Sequence, residues 1–519
     1  MERLRNLLLA MRSDGLVSFR TSFWIVFACV ALAQFWSSRH QMNPDGISYI
    51  AIAETGAVNS YWSPLYSWCM SVWLKIFPVP TEAQFPSVHA MNLAILAFTA
   101  LCLEFFLSQW LGACPVPVRR QGILRGYSYV AFAWSSLLQT PVSLVTPDLL
   151  ASGLFYLALA LLLAVLQRGT LAAHVGLGAV LGAAYLSKTA LFVVALSFFP
   201  ILFFKARFLR DVVYICAGLA ALVLTIFPHV NAISQREGEW TLGTSGKANY
   251  VWIVQNAHLP SPAPDPDIVF VESDKPVAFP LHFEPSAREP VRFDWLRQLT
   301  VIIKNLFSLG TVAFPFFLPL LALFFSQRPA SGFGPRRERI LLVPCLLGVL
   351  LYLLVVVEAR YVAAFMTALA VILFSVLMDP SENDAIAPRS LLASCLLFGY
   401  LLVIQALVPM AKAFGQEAPS YVLFSRSASA ERKLVPGERV AYAGNRVYEQ
   451  YWAHLCRVQV AAYASAPGAF MAHPHAYLEQ LRDKGITAAV TDSSPPVPGP
   501  WRDWGNGYYG MRLDERSHR

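Results

Sequence analysis

The chain has 519 residues, of which 56% are hydrophobic, 13% are aromatic and only 14% are charged. Soluble globular proteins carry about 25% charged residues, so close to half of the expected charge is missing. This composition excludes a disordered protein, a coiled coil and an ordinary cytosolic enzyme. A deficit spread over so long a chain requires many apolar segments, and it predicts a polytopic α-helical membrane protein.

Apolar stretches predict about eleven membrane-spanning helices, because roughly 20 mostly apolar residues are needed to cross a bilayer core of about 30 Å. They lie near residues 21–37, 88–110, 127–141, 147–166, 171–187, 189–204, 212–229, 300–325, 340–357, 361–378 and 390–410. Several arginines precede the first stretch, and it lacks a small-residue cleavage site. It is therefore interpreted as a retained helix rather than a signal peptide.

The distribution of Lys and Arg predicts the orientation of these helices. With the N-terminus in the cytoplasm, the cytoplasmic segments contain sixteen Lys and Arg residues and the short loops on the opposite side contain four. This asymmetry agrees with the positive-inside rule. An odd number of spans then places the C-terminus outside the cytoplasm.

Two large loops are expected on the outer side. The first, about residues 38–87, contains two predicted interfacial helices rich in Trp and Tyr, whose rings commonly lie at the depth of the lipid headgroups. The second, about residues 230–299, is rich in Pro and Asp and is predicted to be largely irregular.

The tail beyond the last predicted span has the pattern of a small α/β domain. Residues 438–444 and 486–492 are predicted to form strands, and residues 476–485 have the pattern of a helix that ends at a glycine. The sequence therefore divides into a transmembrane domain, residues 1–410, and an extracytoplasmic α/β domain, residues 411–519.

Two aspartates lie beside predicted membrane segments on the outer side, where a charge is costly and often functional. Asp45 begins an apolar helix in the first loop, and Asp148 follows Thr146 and Pro147 at the start of the fourth span. Each has a structural interpretation: Asp45 as a helix cap, and Thr146, Pro147 and Asp148 together as a well-formed helix start. The orientation nevertheless returns both carboxylates to the same face of the membrane.

Two cations occupy tight outer turns between apolar segments. Lys188 either meets an anion or extends to lipid phosphate, and Arg360 either meets an anion or pairs locally with Glu358. No nucleotide-binding motif, GxSxG, HExxH or CxxC is present in the chain. An enzyme with its site outside the cytoplasm needs an activated substrate that exists there, and a lipid-linked sugar phosphate meets this condition.

Several of these residues resemble motifs of the GT-C superfamily of membrane glycosyltransferases. The long first loop with Asp45 followed by Tyr49, the Thr146–Asp148 opening, the YLSKT turn at Tyr185–Thr189 and the EARY turn at Glu358–Tyr361 are similar to that family over roughly residues 20–380. The resemblance is greatest to the bacterial protein O-mannosyltransferase and aminoarabinose transferase group. Asp45 is followed by Gly46 rather than by Glu, unlike the protein O-mannosyltransferases, and a WWDYG-type motif is absent.

The resemblance implies a single inverting displacement that moves a hexosyl or pentosyl group from a polyprenyl-phosphate donor to an extracytoplasmic glycolipid, polysaccharide or protein. It assigns Asp45 as the catalytic base and Asp148 as a second acidic catalytic residue that orients either the acceptor or a cation. The implied phosphate-binding residues are Lys188 and Arg360, and the implied substrate contacts are Tyr49, Glu54, Glu358 and Tyr361. No cofactor is required, although a divalent metal near the two aspartates is left open. A multi-pass protein of the bacterial inner membrane with a periplasmic tail is expected.

Two other classes of function compete with this interpretation. A transporter or lipid flippase needs polar groups along a path through the membrane, whereas the charges discussed above gather at one interface. A non-enzymatic assembly or sensor protein would use the tail as its binding domain.

Overall fold

The computed structural model describes residues 2–113, 118–255, 268–270, 291–326, 340–377, 399–400, 403–404, 407, 418–444, 450–464, 467–495 and 500–513. Its fourteen helices up to residue 377 are α1 (Glu2–Ser38), α2 (Pro44–Thr55), α3 (Pro64–Ile76), α4 (Gln84–Ala113), α5 (Val118–Trp134), α6 (Asp148–Arg168), α7 (Leu171–Ser187), α8 (Leu191–Leu196), α9 (Phe198–Phe203), α10 (Leu209–Glu237), α11 (Ser245–Asn249), α12 (Trp295–Ser326), α13 (Leu342–Leu353) and α14 (Ala359–Leu377). Single π-helical turns follow α5 at Ser135–Gln139 and α11 at Tyr250–Val254.

Six of the described helices are long and apolar enough to cross a membrane, namely Phe19–Ser38, Thr81–Ala113, Asp148–Arg168, Leu209–Glu237, Trp295–Leu321 and Ala359–Leu377. The predicted spans 171–187, 189–204 and 340–357 correspond to shorter apolar helices, and the second of these breaks into α8 and α9. The predicted span 390–410 lies almost wholly outside the described residues. The chain is a multi-pass membrane protein, and the count of about eleven spans stays a prediction.

Helices α4 and α6 pack along each other, and α7 packs between α6 and α10. The contact between α7 and α10 is close enough to need glycine on both sides. A Cβ atom at Gly178 would lie 1.8 Å from the carbonyl oxygen of Gly218. The two backbones touch directly at this point, so only a residue without a side chain fits there.

A buried ionic cluster joins α1, α4 and α5 at the end of α4 that is predicted to face the cytoplasm. The carboxylate of Glu104 accepts hydrogen bonds from Arg20 (3.1 Å), Trp24 (2.9 Å) and Tyr129 (2.5 Å) and lies 3.5 Å from Arg125. Glu104 therefore pairs locally, away from the outer charges.

A six-stranded sheet organises the tail. Its strands are β1 (Ile268–Phe270), β2 (Arg439–Ala443), β3 (Gln459–Ala464), β4 (Ala488–Thr491), β5 (Arg502–Gly505) and β6 (Tyr508–Arg512), in the order β1-β3-β2-β4-β6-β5. The pairs β2–β3 and β2–β4 are parallel, and the other pairs are antiparallel. The accompanying helices are Ser420–Ala430, Tyr451–Cys456, Pro467–Ala472 and Leu478–Asp483.

The first strand of this sheet comes from the second outer loop, where the sequence predicts largely irregular chain. Residues 268–270 pair antiparallel with residues 462–464 of β3. The loop therefore connects the membrane helices to the tail by main-chain hydrogen bonds. The predicted boundary at residue 410 falls within residues 408–417, which lie outside the described chain, so the division into two domains stays a prediction.

The tail also contacts the helices next to the first outer loop. The ring Nε2 of His454 hydrogen-bonds Gln84 Oε1, and Gln84 Nε2 donates 2.7 Å to Glu54 at the end of α2. Tyr421 donates 2.8 Å to the carbonyl of His40. These bonds hold the tail against both ends of the segment that carries Asp45.

Candidate active site

Four turns on one side of the helix bundle bring the predicted site residues together. Asp45 is on the first turn of α2, and Asp148 is the first residue of α6. Lys188 directly follows the last residue of α7, and Arg360 is on the first turn of α14. Each side chain follows or precedes a long apolar helix, so the packing of the helices determines where the charges lie.

Asp45 does not cap its helix. Helix α2 begins at Pro44 with Asn43 in the capping position, and the Asn43 side chain makes no capping bond. The Asp45 carboxylate instead accepts a hydrogen bond of 2.9 Å from Arg360 Nη1. The capping interpretation is therefore wrong, and a long-range ion pair takes its place.

Asp148 is the most enclosed charge of the site. Helix α6 begins at Asp148, and Thr146 makes no capping bond, so the expected Thr cap is absent. The Asp148 carboxylate lies 2.5 Å from Lys188 Nζ and 3.9 Å from Arg360 Nη1. Its side chain is 4% exposed, whereas that of Asp45 is 29% exposed. Asp45 is therefore the more exposed of the two carboxylates.

Arg360 connects all three acidic groups of the site. Its Nε donates 2.7 Å to Glu358, so the local pair expected from the sequence exists, and its Nη1 contacts both aspartates. Arg360 Nη2 also donates 3.1 Å to the hydroxyl of Tyr361. A planar guanidinium can bind several carboxylates at once because its N–H groups point in different directions.

Aromatic rings surround the amine of Lys188. The Nζ atom lies 3.6 Å from the centre of the Tyr361 ring and 5.3 Å from that of Tyr352. The side chain is 19% exposed, so it does not extend to the lipid phosphates as the alternative interpretation proposed. Cation–π contacts of this kind stabilise a partly desolvated ammonium group.

Two cavities meet at Asp45 and Arg360. The first, of about 360 Å³, is lined by all four charged residues and by apolar side chains that include Phe192, Val193, Leu351 and Val356. The second, of about 520 Å³, is lined by Asn43, Asp45, Gln139, Glu358 and Arg360. Asp45 and Arg360 line both cavities and therefore lie on the boundary between them.

Burial and the Arg360 guanidinium act in opposite directions on the pKa of Asp45. Its partial enclosure raises the pKa of the carboxyl above the ordinary value, and the adjacent Arg360 guanidinium lowers it. Asp148 and Glu358 raise it further, since they repel the ionised form. Removing Arg360 from Asp45 would leave only effects that make the carboxylate more basic.

Three of the four remaining predicted substrate contacts line a cavity, and one does not. Tyr49 and Tyr361 line the first cavity, and Glu358 lines the second. Glu54 lies nine residues beyond Asp45 on α2, a rise of roughly 13 Å, and its carboxylate accepts from Gln84. Glu54 lines neither cavity, so its predicted contact with substrate is not supported by its position.

Some residues of the first cavity were not predicted as site residues. Tyr61 donates 3.1 Å to Asn249 Oδ1, and Ser63 lies 2.9 Å from the hydroxyl of Thr189. Burial raises the pKa of Tyr61 to about 12, so its hydroxyl remains a neutral donor. Tyr61 could have been noticed in the sequence, because it lies in an aromatic-rich outer loop. Asn249 has none, because its segment resembles an ordinary polar loop.

The donor set of the site does not favour a divalent metal. Among the described residues, no group of three or more His, Cys, Asp and Glu side chains is arranged to hold a metal ion. Lys188 and Arg360 also occupy carboxylate oxygens of both aspartates that a metal would require. The arrangement suits an anion that exchanges with a carboxylate at these cations.

No protein-family model matches the chain, and no curated protein sequence matches it. The fold is similar to the crystal structure of ArnT from Cupriavidus metallidurans in the apo state, with a TM-score of 0.54, 13% identity and coverage of 95% of this chain and 98% of that one. The same protein bound to undecaprenyl phosphate gives a TM-score of 0.52, 14% identity and coverage of 96% and 99%. The fold predicted from the resemblance is thereby confirmed.

Proposed function

We propose that this protein is a membrane glycosyltransferase that moves a sugar from a polyprenyl-phosphate donor to an extracytoplasmic acceptor. One observation carries the proposal: two cations and two carboxylates meet in a cavity that also has apolar side chains in its wall, among them Phe192, Val193, Leu351 and Val356. A phosphate needs the cations, and a prenyl chain needs the apolar wall. ArnT, which has the same fold, binds undecaprenyl phosphate, and this supports the same class of lipid carrier here.

The donor phosphate binds Lys188 and Arg360 in this proposal. Both cations are already paired, with Asp148 and Asp45 respectively, so the phosphate competes with those carboxylates. Arg360 is the easier of the two to share, because its other N–H groups remain bonded to Glu358 and Tyr361. Asp148 is buried beside Lys188 and keeps that amine in place.

Asp45 acts as the general base. When the phosphate draws Arg360 away, Asp45 loses the cation that lowers its basicity and faces the second cavity, where the acceptor enters. The acceptor hydroxyl attacks the anomeric carbon, its proton passes to the Asp45 carboxylate, and the bond from the anomeric carbon to the phosphate oxygen breaks. The products are the glycosylated acceptor and free polyprenyl phosphate, with the anomeric centre inverted.

Asp148 has a different role from Asp45 in this mechanism. Its side chain is almost fully enclosed and lies between both cations, so it orients the phosphate-binding groups rather than the acceptor. The leaving phosphate needs no general acid, because Lys188 and Arg360 stabilise its charge directly.

The transferred sugar, the membrane and the side of the membrane on which transfer takes place are also part of the proposal. A hexosyl or pentosyl group, a bacterial inner membrane and a periplasmic site are expected from the family resemblance and from the distribution of Lys and Arg. No cofactor is expected, because the two cations already supply the charge that a metal would otherwise provide.

Native mass spectrometry of the purified protein tests the carrier. We expect a co-purified polyprenyl phosphate or its glycoside, and much less of it with a Lys188→Ala, Arg360→Ala double variant. Release of undecaprenyl phosphate from undecaprenyl-phosphate-linked glucose, mannose or aminoarabinose, in the presence of a membrane lipid extract, then tests transfer. Lipid movement across vesicles without any release of the carrier would favour a flippase and overturn the proposal.

A further inference from the structure

Helix α4 carries two buried polar side chains one turn apart, at His89 and Asn92. Both are fully enclosed, in a helix long and apolar enough to cross a membrane. An imidazole or an amide is costly in such a place unless its polar atoms are bonded. The partners of these two residues therefore matter.

Asn92 bonds the segment that leads to Asp148. Its Nδ2 donates 3.1 Å to the carbonyl of Val142 and 3.0 Å to that of Leu144. Its Oδ1 accepts a hydrogen bond of 2.7 Å from the Tyr66 hydroxyl. The amide thus uses both donors on one irregular stretch of backbone between the π-helical turn and α6.

His89 connects that stretch to the segment that leads to Asp45. One ring nitrogen lies 2.9 Å from the carbonyl of Val142, and the other lies 2.7 Å from the carbonyl of Gln41. The two segments also bond each other directly, because Val145 N donates 2.9 Å to Asn43 Oδ1. A neutral imidazole donates through only one of its nitrogens, so His89 bonds one of these carbonyls and contacts the other. One face of α4 therefore contacts both aspartate-bearing segments, and the direct bond between the segments joins them.

We propose that His89 and Asn92 are positioning residues that set the placement of the Asp45 and Asp148 carboxylates relative to each other. The inference rests on the proposed glycosyl transfer and adds to it two residues that touch no substrate. Regular helix bonding does not fix residues 140–147, so these side-chain bonds provide the constraint. A displacement of about 1 Å in a reacting group is enough to reduce turnover by roughly a hundredfold.

A comparable brace holds the opposite side of the site. Asn305 on α12 donates 3.0 Å to the carbonyl of Leu353 and accepts 3.3 Å from Val357 N, just before the turn that carries Arg360. This asparagine positions a cation, whereas Asn92 positions the acids. The two asparagines therefore predict different kinetic defects, although both lose a buried amide when replaced.

The experiment compares Asn92→Leu, Asn305→Leu and Tyr66→Phe in the full-length protein in lipid nanodiscs. Turnover is measured as release of undecaprenyl phosphate from whichever of the glucose, mannose or aminoarabinose donors the wild type uses best. Donor KM and thermal stability are measured alongside. We expect Asn92→Leu to lower kcat by at least ~10-fold with donor KM nearly unchanged, and Asn305→Leu mainly to raise donor KM.

Tyr66→Phe is the matched control. It removes one hydrogen bond of the same asparagine but leaves both bonds from Asn92 to the backbone, so kcat should stay near the wild-type value. Asn92→Asp serves if the leucine variant fails to fold, because it keeps the size and the acceptor for Tyr66 while losing the amide donors. We expect its kcat to fall as well.

Two results would overturn the positioning role. The first is a wild-type kcat in both folded Asn92 variants. The second is an equal loss of kcat in Tyr66→Phe, because a general loss of packing would then explain the data. A wild-type protein that neither binds undecaprenyl phosphate nor releases it from any donor would remove the proposed function itself, and the positioning role with it.

Discussion

Arg360 Nη1 donates a 2.9 Å hydrogen bond to Asp45 Oδ2 across 315 positions of sequence. This pair joins the residue proposed as the base to a residue proposed to bind the donor phosphate. The carboxylate of the proposed base is thus paired with a guanidinium that the donor phosphate is also proposed to bind. The proposed mechanism therefore couples binding of the phosphate to activation of the base, because both depend on the same guanidinium.

Replacement of Asp45 tests the base. Asp45→Asn keeps the size of the side chain but removes the proton acceptor, so turnover should fall by at least ~10²-fold, the low end for general acid–base catalysis. Donor binding should persist, because the phosphate contacts remain. Sugar transfer is measured with purified variants of matched thermal stability.

Asp148→Asn provides the comparison for this measurement. Asp148 orients the cations rather than taking the proton, so its loss should reduce donor binding more than it reduces kcat. An Asp45→Asn protein that transfers sugar at a near wild-type rate would end the proposed mechanism.

Removal of either cation should weaken donor binding. Each of Lys188→Ala and Arg360→Ala loses one charge-assisted contact, which is worth on the order of 1.5–3 kcal/mol. Arg360→Lys should rescue binding only in part, because an ammonium group cannot replace a planar guanidinium that bonds several partners. Binding of undecaprenyl phosphate is measured by native mass spectrometry, with Lys75→Ala on exposed surface as the control. Unchanged binding in both site variants would contradict the proposal that these two cations bind the donor phosphate.

Loss of Lys188 should also affect stability. Lys188→Ala leaves the carboxylate of Asp148 buried without its nearest cation, and breaking a buried ion pair from one side typically costs about 3–5 kcal/mol. The double variant Lys188→Ala, Asp148→Asn removes both charges and should regain part of that loss. Thermal unfolding of the three proteins checks this. A double variant less stable than Lys188→Ala alone would show that the pair is not the source of the effect.

The pH dependence of turnover reports the state of Asp45. A base must be deprotonated, so activity should rise as the pH increases through the pKa of this carboxyl, which burial raises and Arg360 lowers. If the donor draws Arg360 away, that pKa is higher in the donor complex. The acidic limb of kcat should then lie at a higher pH than that of kcat/KM, since the two report the complex and the free enzyme.

If the acidic limbs of kcat and kcat/KM lie at the same pH, the proposal that Arg360 exchanges Asp45 for the donor phosphate is contradicted. The charged groups around Asp45 are Arg360, Asp148 and Glu358. Glu438→Gln is therefore a suitable control, because Glu438 pairs with Arg512 in the tail sheet and its loss should move neither limb.

Orientation in the membrane can be tested directly. A reporter fused after Arg519 should behave as extracytoplasmic, and one fused near Arg337 as cytoplasmic, because sixteen Lys and Arg residues lie on the predicted inner side against four in the short outer loops. Reporter activity in intact cells decides between the two sides. A cytoplasmic tail would move every site residue to the wrong face.

The sequence predicts much of the site because its charges are rare in an apolar chain. Asp45, Asp148, Lys188 and Arg360 are noticeable for that reason, and all four meet in the structure. Their pairing could not be predicted, since it depends on how α6, α7 and α14 pack. The same limit explains Glu54, whose charge is as noticeable as that of Asp45 but which faces Gln84.

The positioning residues could not be identified from the sequence. His89 and Asn92 lie within an apolar run, where a polar residue most often bonds its own helix or a neighbour. Their partners are backbone carbonyls, which have no signature in the sequence. The strand at residues 268–270 was missed for a related reason: its partner is almost 200 residues away, in β3.

The contact between Gly178 and Gly218 has a consequence for Lys188, at the end of the same helix. Lys188 lies ten residues beyond Gly178 along α7 and the turn that follows, a rise of roughly 15 Å. A methyl group at residue 178 would collide with the backbone of α10, so we expect α7 to move away from α10. The position of the amine proposed to bind the donor therefore depends on how closely α7 and α10 approach each other at Gly178 and Gly218.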